Sequence, residues 1–465
     1  PTASAVSAAG EADRTQGRHR AAVGGQPDDQ FDWNGQLQTR GCCQRGRIDR
    51  RGGDLAADHH PVVSGRLGDR TGQQRLPRIG WPQTNNTAGF GIYGTDLGIM
   101  WENGLTGNIQ LAFGGDTFSG PGQTGDWRSN VLLLSQDHNL SNGLSLLQTG
   151  YAYQFIPRNS GVLFPFLGSE VTVIPTSAVS VNNQQYVNYM SVKSWDTPGR
   201  WTTNYSAISM YDQATDKWVL QGGSTIRSAS WFGSTHPPYV PPGNQNFQQA
   251  AYVLEPADQV APGDTQYLYA FGTPSGRAGS AYLSRVSVDD VNNLAKYQYW
   301  NATTSTWVTG KPVAATPVIG DSTHSAGLFF GPVIDWANNP NVLGGMLGGL
   351  FGAKTGGNVS EMSVQYNDYL GKYVMMYANG QNNVELRYAD EPNGQWSAPI
   401  TVATSATYPP GLYAPMIHPW SGTGKLVDSN GNPDDSTLYW NMSLWGNYNV
   451  VLMKTDLSSL KATLV

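Results

Sequence analysis

Gly94-Thr95-Asp96-Leu97-Gly98 and Phe113-Gly114-Gly115-Asp116-Thr117-Phe118 bracket a stretch that reads as one β-hairpin. Ile99-Met100-Trp101 and Ile109-Gln110-Leu111-Ala112-Phe113 are short apolar runs, and Glu102-Asn103-Gly104 carries the Asn-Gly turn signal between them. Placing Trp101 near Asn108 sets Asp96 about opposite residue 114, with Asp116 just beyond, on strands roughly 5 Å apart. An isolated Gly-Asp is ordinarily a turn residue. Two carboxylates converging at the open end of one hairpin are what glycosidic-bond hydrolysis needs, which singles out Asp96 and Asp116.

From about Thr87 onward the texture is constant. Strand-like runs recur at Val131–Leu134, Val171–Ile174, Tyr186–Val192, Ala207–Tyr211, Ala250–Leu254, Tyr267–Phe271, Ala281–Val286, Met362–Tyr366, Tyr373–Tyr377, Leu438–Met442 and Val450–Lys454. Gly, Asn, Asp and Pro clusters separate them, and almost no helical stripe competes, so the body is all-β. Units such as Ser206–Trp218, Tyr297–Trp307 and Glu385–Trp396 share one plan of strand, turn, strand and Trp-bearing exit. Such units suit propeller blades, which hide their faces only by stacking. About 375 residues at roughly 70 to 80 per blade predict a five-bladed β-propeller over 81–465. A two-domain β-sandwich is the alternative.

Charged residues make up only 13% of the chain, while Gly reaches 56, Trp 15 and Tyr 23. A surface of amides, hydroxyls and aromatic rings suits sugars, whose C–H faces pack on π surfaces, and a net charge of −6 argues against nucleic acid. Residues 1–80 differ: Arg is frequent, Lys is absent and apolar periodicity is missing. We read that segment as disordered, or as non-native text from a misplaced start, a basic solvated arm being the alternative. Cys42 and Cys43 are adjacent there and give neither a disulfide framework nor a zinc spacing. The histidines are scattered without ligand spacing, so no metal or other cofactor is expected. No apolar run reaches the roughly 18 residues of a membrane span, and no nucleotide or esterase fingerprint occurs. The Gly-rich apolar segment Pro332–Gly357 breaks the texture, either as an insertion packed on the body or as a lid or membrane-surface contact.

Several motifs resemble a known family. Gly94–Gly98, Phe113–Phe118 and Trp127-Arg128-Ser129-Asn130-Val131 look like the start of the actinobacterial domain of unknown function 4185. Ile174-Pro175-Thr176, Trp201–Ser206, Tyr269–Arg277 and Met362–Asn367 extend the likeness in the same order, over about residues 87–455. The resemblance implies a five-bladed propeller assigned to glycoside hydrolase family 183, endo-acting enzymes on α-linked D-arabinofuranose chains of mycobacterial arabinogalactan and lipoarabinomannan. By position in its motifs, the catalytic carboxylates map onto Asp96 and Asp116. The sequence departs in having Gly114-Gly115 before Asp116 where a single Gly is expected.

Furanoside hydrolysis needs one protonated carboxyl for the leaving oxygen and one ionised carboxylate to activate water or attack the anomeric carbon. An inverting pathway is favoured, and which aspartate is acid stays open. Asp126, Trp127, Arg128 and Asn130 follow in the next loop as candidate sugar contacts, or as a strand-entry network. Arg277 and Arg387 are rare cations in the body, suited to orienting a carboxylate or binding sugar hydroxyls, or to a structural ion pair, and Glu361 is a third candidate acid next to a strand. Trp127, Trp195, Trp201 and Trp231 are candidate stacking platforms or packing residues. The expectation is a secreted or envelope-associated monomer acting on D-arabinan; the rival is a silent propeller that binds cell-wall glycan or a protein.

Overall fold

The computed structural model describes residues 73–79, 87–104, 108–121, 123–147, 150–158, 170–220, 222–231, 239–320, 324, 325 and 327–464. The reading of residues 1–80 falls outside these, except that Gln73–Ile79 form a strand, β1. The hairpin follows as β2 (Ile99–Glu102) and β3 (Ile109–Gly120), with β4 (Thr124–Ser135) beside β3. A second sheet holds β5 (Thr172–Val181), β6 (Gln184–Thr197), β7 (Arg200–Asp212) and β8 (Lys217–Leu220), with β9 (Ile226–Ser228) on β7. The third holds β10 (Gln249–Leu254), β11 (Tyr267–Thr273), β12 (Ala281–Ser287), β13 (Gln298–Asn301) and β14 (Thr306–Thr309), with β15 (Pro317–Ile319) on β12. β16 (Met362–Asn367), β17 (Lys372–Ala378), β18 (Val384–Ala389) and β19 (Ile400–Ala403) make the fourth. In the last, β20 (Leu412–Ile417), β21 (Thr437–Leu444) and β22 (Asn449–Asp456) are joined by β1, which pairs with β22.

Each strand run expected from the sequence lies inside one of these strands, save that Val171 precedes the start of β5 by one residue. The first strands of the sheets touch in a closed ring, β2 to β5, β5 to β10, β10 to β16, β16 to β20 and β20 to β2. Apolar clusters fill the spaces between neighbouring sheets, as in the group of Phe271, Leu283, Met375 and Trp396 between the third and fourth. The arrangement is an all-β propeller, because each sheet buries its faces only against its neighbours.

The expectation of a five-bladed propeller is corrected: four full blades form among the described residues. Four sheets carry four or more strands, whereas the β2–β4 sheet carries three among the described residues. After β4 the chain leaves the ladder, and where a fourth strand would run, the Leu147 amide bonds to the Leu134 carbonyl 2.9 Å away. Gly143 and Gly150, both left-handed with φ of 115° and 98°, bend that segment away from extended geometry.

The Gly-rich insertion packs on the body, with short helices α1 (Gly331–Ala337) and α2 (Gly348–Phe351). Gly345, Gly348 and Gly349 face inward: a Cβ at Gly349 would lie 2.5 Å from the Tyr239 ring. Large side chains of the segment face solvent, with Leu343 72% and Trp336 51% exposed. Among the described residues no helix is long and apolar enough to cross a membrane.

Candidate active site

The loop ahead of β2 is fastened on both sides. The Phe118 amide bonds to the Gly94 carbonyl at 2.9 Å, and the Thr95 amide to the Tyr448 carbonyl at 2.9 Å. The Ser443 hydroxyl accepts from the Leu97 amide at 2.8 Å, and Asn441 Nδ2 donates to the Gly98 carbonyl at 2.8 Å. The first and last sheets therefore clamp Asp96 between them.

The hairpin register is Trp101 opposite Gln110, two residues further along than the sequence reading placed it. Carried outward, that register sets Asp96 against Gly115. Between the pairs Gly114–Asn130 and Thr117–Arg128 the β3–β4 ladder slips, so that Gly115 and Asp116 face the single residue Ser129. This is a β-bulge, and the extra glycine is what it absorbs. Gly115 takes φ +99°, and a Cβ there would lie 2.9 Å from Asp96 Cγ. The bulge lets Asp96 settle against the strand that carries Asp116.

Both aspartates are half-buried, and the Asp116 charge acts on Asp96. Tyr413, on β20, donates its hydroxyl to Asp96 Oδ2 at 2.9 Å, while Oδ1 is buried without a hydrogen-bond partner. Burial, then the neighbouring Asp116 charge, push the Asp96 carboxyl well above the usual carboxylate range, against the pull of Tyr413. Trp127 Nε1 donates to Asp116 Oδ1 at 2.6 Å, and the Asp116 amide donates to the Tyr448 hydroxyl at 3.1 Å. Burial raises Asp116 as well, opposed by the Trp127 bond and by the charge of Arg158, whose guanidinium lies 4.7 Å from the Trp127 ring. Two similar side chains are thus held in different surroundings.

Arg277, in the turn between β11 and β12, and Glu361, just ahead of β16, form a buried two-point ion pair at 2.8 and 3.1 Å. Rings of Trp201, Tyr413 and Trp445 surround the guanidinium at 5.5, 4.9 and 4.9 Å. Burial alone would lower Arg277, but Glu361 raises it; burial would raise Glu361, but Arg277 holds it low. The site draws on all five sheets. Three non-glycine residues beside it, Leu97, Ala414 and Tyr448, adopt left-handed φ of 62°, 50° and 43°, the kind of strain that gathers at functional sites.

Of the other expected sugar contacts, Trp127 reaches the site and Asp126 lies exposed, with the Tyr151 hydroxyl on its Oδ2. Arg128 and Asn130 are structural. Arg128 clamps the Gly91 and Ala152 carbonyls under the Tyr151 ring. Buried Asn130 donates to Ser129, Ile156 and Val173 and accepts from the amides of Phe155 and Ile156. Arg387 bonds the Tyr377 hydroxyl and the Ser397 carbonyl within its own blade. Trp195 packs edge-on against Trp201 at the β6–β7 tip, and Trp231 holds the insertion through the Met346 and Gly349 carbonyls. Tyr413, Tyr448 and Arg158 escaped the sequence reading; two come from the distant end of the chain, with no local motif. Among the described residues no group of acids, histidines or cysteines is arranged to hold a metal.

The family model described as domain of unknown function (DUF4185) matches residues 83–327 and 350–454, and the gap falls in the Gly-rich insertion. An uncharacterized 35.9 kDa protein from the asd 3′ region of Mycolicibacterium smegmatis is 24% identical over 350 residues, 72% of this chain and 84% of that one. Among solved structures, an exo-β-1,3-galactanase from Phanerochaete chrysosporium is similar at TM-score 0.45 and 10% identity, covering 83% of this chain and 65% of that one. An α-L-arabinofuranosidase from Podospora anserina is similar at 0.38 and 11%, covering 82% and 95%. These likenesses assign no chemistry to this chain.

Proposed function

The chain belongs to the DUF4185 family, and from that premise we propose that it is an endo-acting glycoside hydrolase of α-D-arabinofuranosyl linkages. The observation that carries the reading is the pair Asp96 and Asp116, near enough for their charges to interact but held in unlike surroundings. Groups whose environments push their proton affinities apart divide acid and base roles. Asp96, the more strongly raised, keeps its proton and delivers it to the departing sugar oxygen. Asp116, with an indole N–H and a nearby guanidinium favouring its charge, is the ionised partner that activates water on the inverting route. The D-arabinan substrate follows from the resemblance to glycoside hydrolase family 183, and secretion or envelope attachment follows from that substrate.

Arabinogalactan incubated with the protein should release oligosaccharides rather than single sugars. Binding without release would move the reading to a silent glycan-binding propeller.

A further inference from the structure

We propose that Glu361 is a positioning residue for the acid. It occupies Arg277, so that the guanidinium braces Tyr413 through its ring face and does not draw Asp96 into an ion pair. The inference rests on the acid role given to Asp96 above.

The geometry forms a relay across three sheets. Glu361 accepts from Arg277 Nε at 3.1 Å and Nη2 at 2.8 Å, a two-point bond on one edge of the guanidinium. The guanidinium carbon lies 4.9 Å from the centroid of Tyr413, whose hydroxyl donates to Asp96 Oδ2 at 2.9 Å. Trp445 stacks on the Tyr413 ring at 4.2 Å and also faces Arg277, so the phenol is held on both flanks. A two-point carboxylate is the partner that fills an arginine fork.

The groups acting on Asp96 come from every neighbouring element: Asp116 on β3, Tyr413 on β20, Tyr448 in the β21–β22 turn, Glu361 ahead of β16 and Arg277 between β11 and β12. Arg158 acts on Asp116. Of these, Arg277 is the cation that acts on Asp96. An arginine cannot shed its charge, so an unpaired Arg277 would stabilise ionised Asp96 and remove the proton the acid must carry. Glu361 prevents this from a position one residue removed from the chemistry.

The test reads the Asp96 carboxyl directly. Infrared difference spectra of the ¹³C-aspartate-labelled full chain, with Asp96→Asn as the subtraction reference, follow its protonation against pH without substrate. Glu361→Gln should move that titration down by about 1 to 3 pH units, and the alkaline limb of kcat/KM should move with it. The double variant Arg277→Met/Glu361→Gln, which leaves no unpaired charge, should return the titration to within about one unit of the parent. An unchanged titration in folded Glu361→Gln would overturn the proposal. So would a double variant whose Asp96 titrates in the ordinary carboxylate range, a result that stands even if Glu361→Gln does not fold. Because the spectra need no turnover, the expected shifts in a protein that cleaves no arabinan would sink the glycosidase reading and leave the control of Asp96 standing.

Discussion

The carboxylate of Asp96 rests against the backbone of Gly115, on the strand that carries Asp116, and no side chain fits between them. Gly115→Ala asks alanine for φ +99°, a conformation costing roughly 1–3 kcal/mol, and drives its methyl into Asp96. Urea unfolding should show a loss of at least that size, with activity falling further than stability explains. A folded, fully active Gly115→Ala protein would mean that the bulge does not set the site.

The raised Asp96 carboxyl has a consequence for stability. Its proton is bound more tightly in the folded than in the unfolded chain, so between the ordinary carboxylate range and its raised value stability falls as pH rises, by up to about 1.4 kcal/mol per unit of displacement. Asp96→Asn removes that term. The variant should melt higher than the parent at neutral pH, and the difference should vanish at acid pH, where both carry a neutral group. A variant less stable at neutral pH would contradict the assignment.

Trp127→Phe deletes the indole bond that favours charge on Asp116. The Asp116 proton should then be held more tightly, and the acid limb of kcat/KM should move to higher pH. A limb that stays in place would remove Asp116 from the base role.

Asn130→Ala separates the two readings of that residue. It is buried and saturates five hydrogen bonds to Ser129, Phe155, Ile156 and Val173, and unpairing such groups costs about 1–3 kcal/mol each. Stability should fall by at least about 2 kcal/mol with KM unchanged. A raised KM at full stability would restore Asn130 to the sugar.

The strands and the hairpin were legible because their signals are local: period-two apolar runs, Asn-Gly and Trp-bearing turns. The register was missed by two residues, since a glycine-rich strand end carries no side-chain pattern to pin it; the bulge lay in the same Gly114-Gly115 pair noticed as a departure. β20 escaped because Pro409-Pro410 precede it and Pro415 lies inside it, which reads as a broken strand. Asp96 and Asp116 were singled out because they share one hairpin. Tyr413 lies 317 residues from the aspartate it bonds, and only closure of the ring brings it there. The reading of Arg128 and Asn130 stayed between two alternatives because polar residues beside a candidate site look alike in sequence whether they face a sugar or a buried backbone.

The most direct measurement is oligosaccharide release from purified mycobacterial arabinogalactan by the full chain, beside Asp96→Asn and Asp116→Asn variants shown to be folded. The account predicts products from the parent and a loss of about 10² to 10⁴-fold in each variant. Release that survives either substitution, or a folded parent that binds the polymer and frees nothing, would contradict it.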